Sequence, residues 1–322
     1  LDFSMFLERI AKEGSNFFYL GDGSALIADF FSDGGLLTKK TLKDYHVAIR
    51  KPIQTTFRGV EFFSNPAPSV GGTLIIFLLK LLEQSNLKNI HFSQLLNAML
   101  ITNIARSQVC LDPNQEYQIN TLLEDDVFIK YLQKHIKETS NDQADFERGC
   151  TTHVSVIDKE MNSVSVTTTN GEGCGYLLPD TGIMMNNMLG EADLNPLGFH
   201  AYKHSMRLPT MVSPSIIIKD DLPLIVLGSG GSNRIRSAIV QVIINFLIKG
   251  MDIDDAIHAP RMHLEGNHIL HEPGIEIDHG LFVDDFSIRP FENKNLFFGG
   301  VNAVTPHGGC SDPRRGGTCQ II

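Results

Sequence analysis

The chain has 322 residues, enough for one large domain or two ordinary ones and for a sizeable core. A formal charge of −10 and the lack of any Lys/Arg run argue against nucleic acid as a partner. No apolar stretch reaches the roughly 20 residues that a membrane span needs. The five cysteines have no metal-site spacing and read mostly as free thiols, with a Cys310–Cys319 bridge as the alternative.

No signal peptide is visible, and Phe3–Ala11 already reads as the middle of an amphipathic helix, as if the chain started inside a domain. Up to residue 50, apolar residues recur at helical spacing between Gly-rich turns such as Asp33-Gly34-Gly35. Residues 53–63, β-branched and aromatic, predict one strand. Asn65-Pro66-Ala67-Pro68-Ser69-Val70-Gly71-Gly72 reads as a rigid loop before a buried helix over 73–83. Two more helices are predicted over 91–107 and 121–138. Residues 139–149 are polar and aperiodic, which predicts a mobile linker. The texture then changes. Thr152–Asp158 and Ser163–Thr169 flank a turn at 159–162, a β-hairpin signal. A second such pair, Ile216–Ile218 and Leu224–Leu227, surrounds Lys219-Asp220-Asp221. A helix over 235–249 follows, then short strands among Gly/His-rich loops over 266–309. Helices in the first half and strands in the second predict sheets covered by helices, with both halves in one core.

Four places carry chemistry. Thr151-Thr152-His153 opens a strand just after the linker. Cutting the bond before Thr151 would place a free amine beside its hydroxyl. That amine has an ordinary pKa of about 7.7–8.0, so one residue would supply nucleophile and base. Two threonines are equally good strand formers. Gly228-Ser229-Gly230-Gly231-Ser232-Asn233-Arg234 joins an apolar strand to a helix. Its backbone N–H groups suit an oxyanion, and it lacks the Lys of a phosphate-cradling loop. A plain tight turn is the alternative. Asn170-Gly171-Glu172-Gly173-Cys174-Gly175 is a bent polar loop at the end of the hairpin. Asn186-Asn187, followed by Glu191, reads as a polar pocket or as a turn and cap. The twelve histidines show no ligand spacing, so neither metal nor cofactor is expected.

In this order the motifs resemble the γ-glutamyltransferase (γ-glutamyltranspeptidase) family. The matching pieces are LERIAKEG (7–14), NPAPSVGG (65–72), the block from Thr151 to Glu191, VLGSGGSNRI (226–235), HAPRMH (258–263) and SDPRRGGT (311–318). The resemblance implies an α+β fold, the four-layer αββα sandwich of the N-terminal-nucleophile hydrolases. Residues 1–150, with linker 139–150, would be the C-terminal part of a large subunit. Residues 151–322 would be the small subunit, both belonging to one composite domain. It implies self-cleavage between Cys150 and Thr151, after which the two fragments stay associated. It also implies γ-glutamyl transfer from glutathione or similar compounds to water, an amino acid or a peptide. Thr151 would be the nucleophile, Thr169 its hydrogen-bond partner, and Gly230 and Gly231 the oxyanion hole. Glu191 would hold the α-amino group of the substrate, with Asn170, Glu172, Asn187, Thr210 and Ser229 as further substrate contacts. Prokaryotic members are often periplasmic or secreted. Two departures stand out. Where many members carry a Ser-Ser pair, this chain has only Thr210, and the part of the large subunit that supplies an arginine for the α-carboxylate is not in the sequence. A related glutaryl, cephalosporin or poly-γ-glutamate acylase, or an inactive truncated homologue, are the alternatives.

Overall fold

A computed structural model of the chain describes residues 2–84, 89–109, 118–132, 150–195, 198–277 and 286–322. The predicted linker 139–149 and Cys110 lie outside these residues. The chain divides into two compact units, Leu1–Arg50 with Asn170–Met188, and Lys51–Thr169 with Leu189–Ile322.

The first unit opens with α1 (Asp2–Glu13), α2 (Ser15–Tyr19), α3 (Asp22–Phe30) and α4 (Lys39–Lys43). Phe6 of α1 is buried against Phe17, their ring centroids 5.1 Å apart. Arg9 lies over the Phe17 ring at 4.1 Å and pairs with Glu13 and Asp22. Thr38 and Thr41 cap α4 reciprocally, each satisfying an otherwise orphaned donor of the other. Ile27, Leu42 and Leu178 form the small core of this unit.

The second unit begins with β1 (Ile53–Phe57) and β2 (Val60–Ser64). The single strand predicted over 53–63 is therefore a hairpin. Arg58 and Gly59 turn the chain with φ of 50° and 78°, and the unbroken run of strand-forming residues around them hides the turn. Next come α5 (Val70–Glu83), α6 (Phe92–Val109) and α7 (Asp125–Leu132). α5 starts three residues earlier than predicted. It is apolar nearly all round, as a helix enclosed in a core must be. The helix predicted over 121–138 is a 3₁₀ turn at Gln118–Leu123 followed by α7, and residues 133–138 lie outside the described residues. β3 (Thr151–Ile157) and β4 (Ser163–Thr169) form the predicted hairpin, with Thr151 opposite Thr169.

A short pair in the first unit, β5 (Leu177–Leu178) and β6 (Ile183–Met184), precedes the rest of the second unit. β7 (Ser215–Lys219) and β8 (Leu222–Gly230) turn tightly at Asp220-Asp221, both at positive φ. α8 (Arg234–Leu247) and α9 (Ile253–His258) follow. β9 (Met262–Glu265), β10 (His268–His271) and β11 (Ser287–Pro290) make a three-stranded sheet. β12 (Gly300–Thr305) and β13 (Gly308–Cys310) complete a six-stranded sheet of order β1-β2-β7-β8-β12-β13.

Period-two alternation gives β8 two buried faces. Ile225 and Leu227 join the large core with α5, α6 and α8. Gly228 and Gly230, on the opposite face, meet the β3–β4 hairpin. The order is thus helices, six-stranded sheet, hairpin, and the α+β class expected from the sequence is the one found. The core draws on residues from both sides of position 151, from Phe57 to Cys310. The inner face of the hairpin is polar. It is made of His153, Ser155, Ser165 and Thr167, while Val154, Val156, Val164 and Val166 each stand about half exposed on the outer face. No described helix is long and apolar enough to cross a membrane.

Candidate active site

Thr151 and Thr169 are paired across β3 and β4, half-buried, and the Thr151 hydroxyl donates to Thr169 Oγ1 at 3.1 Å. This contact orients Thr151 Oγ1 without removing its lone pairs. Two residues along the same face, His153 is buried between Thr167 Oγ1 and Ser155 Oγ, at 2.8 Å from each. Asn302 Nδ2 donates to the His153 carbonyl at 2.8 Å, and the Ser155 hydroxyl donates to the Asn302 carbonyl at 3.3 Å. Ser165 ties β4 to β8 by donating to the Leu227 carbonyl at 3.1 Å. Hydrogen bonds, not apolar contacts, therefore seat the hairpin on the sheet.

The Gly-x-Gly spacing in β8 has a steric cause. A methyl group on Gly230 would lie 2.3 Å from the Thr151 carbonyl oxygen, and one on Gly228 would lie 2.4 Å from the His153 ring. Residues two apart on β3 thus rest on residues two apart on β8. Gly231 follows with φ of 131°, a conformation suited to glycine, and its carbonyl accepts from Arg234 N as the chain turns into α8. The turn read as an oxyanion loop is thus brought directly under Thr151. The side chain of Arg315 lies across Gly300, and its Nη2 is 3.4 Å from where a Gly231 Cβ would be. Burial first, and the neighbouring Arg234 second, hold the Arg315 guanidinium below its ordinary pKa. His153, Asn302 and Arg315 were not singled out in the sequence. The period-two match between 151/153 and 230/228 is the signal that could have found His153.

The remaining predicted residues fall in several places. Ser229 is fully buried, its hydroxyl donating to the Gly230 carbonyl and accepting from Gly300 N. It braces the glycine turn from behind. The Thr210 carbonyl accepts from Val70 N, Gly71 N and the Ser69 hydroxyl, so the start of α5 seats this segment. A Cβ on Gly71 would meet the Met211 carbonyl oxygen at 2.2 Å, which accounts for glycine in the NPAPSVGG motif. Glu191 is partly buried and opens a 3₁₀ turn, its carbonyl accepting from Asn195 Nδ2 at 2.7 Å. In the first unit, Asn170, Glu172 and Asn187 come together. Glu172 N donates to Asn187 Oδ1 at 2.7 Å, Asn187 N donates to the Asn170 carbonyl, and Asn170 Nδ2 reaches the Met184 carbonyl. Cys150 is exposed.

The HAPRMH and SDPRRGGT motifs build a buried ion network. Arg261 pairs with Asp312 at 2.6 Å, and Arg314 pairs with Asp312 and with Glu272. Burial pushes the Asp312 carboxyl up, but Arg261 and Arg314 outweigh it and hold it below the usual carboxylate range. Asp312 also accepts from Val301 N at 2.9 Å, which pins the C-terminal segment to β12.

Two measurable consequences arise here. Replacing Thr169 by valine keeps the shape and removes the acceptor of the Thr151 hydroxyl. One hydrogen bond of about 1 kcal/mol corresponds to a five- to ten-fold fall in kcat with KM little changed. A Thr169→Val protein with wild-type kcat would remove this contact from the chemistry. The second concerns pH. Burial lowers the His153 pKa from 6.5 to about 4, and burial likewise lowers that of His263. The unfolded chain takes up a proton below pH 6.5 that the folded ring refuses. Stability is therefore complete above that pH and falls as the pH drops towards 4. His153 alone should cost about 2 kcal/mol between pH 7 and 4.5. Urea midpoints at the two pH values test this, and a His153→Gln chain should show a shallower pH dependence.

The family model described as gamma-glutamyltranspeptidase matches residues 2–322. The glutathione hydrolase proenzyme of Escherichia coli K12 is 31% identical over 288 residues, covering 80% of this chain and 49% of that protein. The acylase ACY 1 proenzyme of Pseudomonas sp. SE83 is 28% identical over 288 residues, covering 85% of this chain and 52% of its own length. The chain spans about half the length of the curated relatives it matches. Among solved structures, the cephalosporin acylase of Bacillus halodurans superposes over 99% of this chain and 62% of its own, with a TM-score of 0.82 and 23% identity, a likeness of fold. The family match runs almost end to end and the fold agrees with it, and the chain belongs to the gamma-glutamyltranspeptidase family.

Proposed function

We propose that the chain carries the nucleophile of a γ-glutamyl-transferring hydrolase, and that Thr151 is that nucleophile. The observation that carries the reading is that Thr151, its hydroxyl bonded to Thr169, rests with its backbone carbonyl and Cβ against Gly230. In the first stage Thr151 Oγ1 attacks the Cys150 carbonyl carbon. The C–N bond breaks, the nitrogen takes the hydroxyl proton, and Cys150 becomes esterified to Thr151. Water hydrolyses the ester, leaving a Cys150 carboxylate and a Thr151 with free amine and hydroxyl. In the second stage the Thr151 hydroxyl attacks the γ-amide carbon of glutathione or a similar compound. Its amine accepts the hydroxyl proton and delivers it to the departing amine. Gly230 and Gly231 N–H groups hold the oxyanion. Water, an amino acid or a peptide then takes the glutamyl group from the ester. On the family pattern Glu191 receives the α-ammonium group, and Asn170, Glu172, Asn187 and Thr210 are candidates for further substrate contacts.

Intact mass with N-terminal sequencing tests the first stage. Two fragments, one beginning Thr151-Thr152-His153, are expected, and a single uncut wild-type chain counts against it. The match to an acylase proenzyme favours a second reading, in which the same nucleophile removes an acyl group that lacks the α-amine. Hydrolysis of γ-glutamyl against glutaryl anilides separates the two. Preference for the glutaryl compound would replace glutathione by an amine-free acyl donor.

A further inference from the structure

Asp254 and His258 lie one turn apart on α9, so their side chains share a face. That face meets the end of β13, the edge strand of the six-stranded sheet, at Cys310. His258 Nδ1 lies 3.4 Å from Asp254 Oδ2 and 3.9 Å from Cys310 Sγ, and the three donor atoms all fall within 4.8 Å of one another. No sequence spacing joins them, since 52 positions separate His258 from Cys310. A second thiol is near. Cys319 Sγ is 2.9 Å from where a Cβ on Gly309 would stand, beside Cys310, and both cysteines are free.

We propose that Asp254, His258 and Cys310 form a binding site for a borderline-soft divalent ion, zinc in particular, with the fourth position open to water. Sulfur, imidazole and carboxylate donors together suit zinc, whereas calcium and magnesium require sets dominated by oxygen. Zinc bonds of about 2.3 Å to sulfur and about 2.0–2.1 Å to nitrogen, at a tetrahedral angle, put neighbouring donors roughly 3.3–3.8 Å apart. The observed 3.4 and 3.9 Å need little adjustment. His258 Nδ1 also stands 2.9 Å from the Asp254 carbonyl oxygen. Binding moves the ring proton from Nδ1 to Nε2 and gives up that contact. The Cys310 thiol releases one proton to solvent as its sulfur joins the ion, so no redox partner is involved. The ion would tie α9 to the sheet edge. It serves structure, not the Thr151 chemistry.

Anaerobic titration of chelator-treated full-length chain with Co2+, in the presence of a non-thiol reductant, tests the site. One equivalent should produce a thiolate-to-cobalt charge-transfer band that Zn2+ then abolishes. His258→Gln and Asp254→Asn alter exposed or half-exposed side chains and leave the fold intact. Each should weaken zinc binding at least about ten-fold, while Asp255→Asn, on the same helix but outside the cluster, should not. Cys310→Ser should eliminate the band. Absence of the band in the wild type, a zinc affinity unchanged by His258→Gln, or a Cys310–Cys319 disulfide in the purified protein would each overturn the site.

Discussion

Replacing Thr151 by alanine is expected to leave a single uncut polypeptide of 35.7 kDa with no measurable turnover. Both stages of the proposed mechanism run through one oxygen atom, so their losses coincide. Removing a nucleophile of this kind costs a factor of roughly 10⁴–10⁶ in kcat. The fold has little at stake, because among the described residues the hydroxyl's hydrogen bond is the one to Thr169 Oγ1. Its loss amounts to about 1 kcal/mol. The Thr151→Ala chain should therefore melt within a few degrees of the uncut wild type. Thr151→Ser, which keeps the oxygen, should retain cleavage at a reduced rate. Fragments that still appear with alanine at 151, or turnover that persists, would move the chemistry to another residue.

Gly230→Ala should be nearly as damaging, for a different reason. The added methyl would sit 2.3 Å from the Thr151 carbonyl oxygen, far inside van der Waals contact with a backbone atom that cannot swing away. Either β3 lifts off β8 or the turn shifts, and both spoil the alignment of the hydroxyl with the oxyanion donors. Loss of one such donor is worth about 10²–10³ in rate. Self-cleavage should stall in parallel. Gly250→Ala provides the comparison. That glycine has positive φ and open space around it, so the substitution strains the backbone without touching the site. A Gly230→Ala protein that cleaves and turns over like Gly250→Ala would remove the β8 turn from the mechanism.

Much of this arrangement is legible in the residues themselves. The β3–β4 hairpin, the β7–β8 turn at Asp220-Asp221 and the strand–glycine–helix passage into α8 all follow from local patterns, because turn chemistry and periodicity are short-range. What escapes is whatever depends on stacking. The β1–β2 turn is hidden because Arg58 adopts positive φ within a run of strand formers. His153 looks like any strand residue until the hairpin lies on β8 and Gly228 makes room for its ring. Ser229 reads as part of a ligand-facing loop, but the alternation of β8 turns its hydroxyl inward to Gly230 and Gly300. Asp254, His258 and Cys310 cannot be associated from spacing, since only the packing of α9 on β13 brings them together. The roles of Glu191, Asn170, Glu172 and Asn187 rest on resemblance. Their hydrogen bonds describe how they are held, and the anilide comparison bears on what they hold.

The polar inner face of the hairpin has a consequence for fidelity. In an ordinary two-layer sandwich a slip of one position is penalised because it drives apolar side chains into water. Here the hairpin's inner face is polar, so burial of apolar side chains on that face does not fix the alignment. What opposes a slip is a lattice of polar contacts, His153 with Thr167 and Ser155, Asn302 with His153, Ser165 with Leu227. Hydrogen bonds are directional where apolar contacts are not, so they accept one alignment and reject its neighbours. The position of Thr151 is thus encoded as a lock with polar pins, and removing a pin such as Asn302 endangers the setting of the strand before it endangers its attachment.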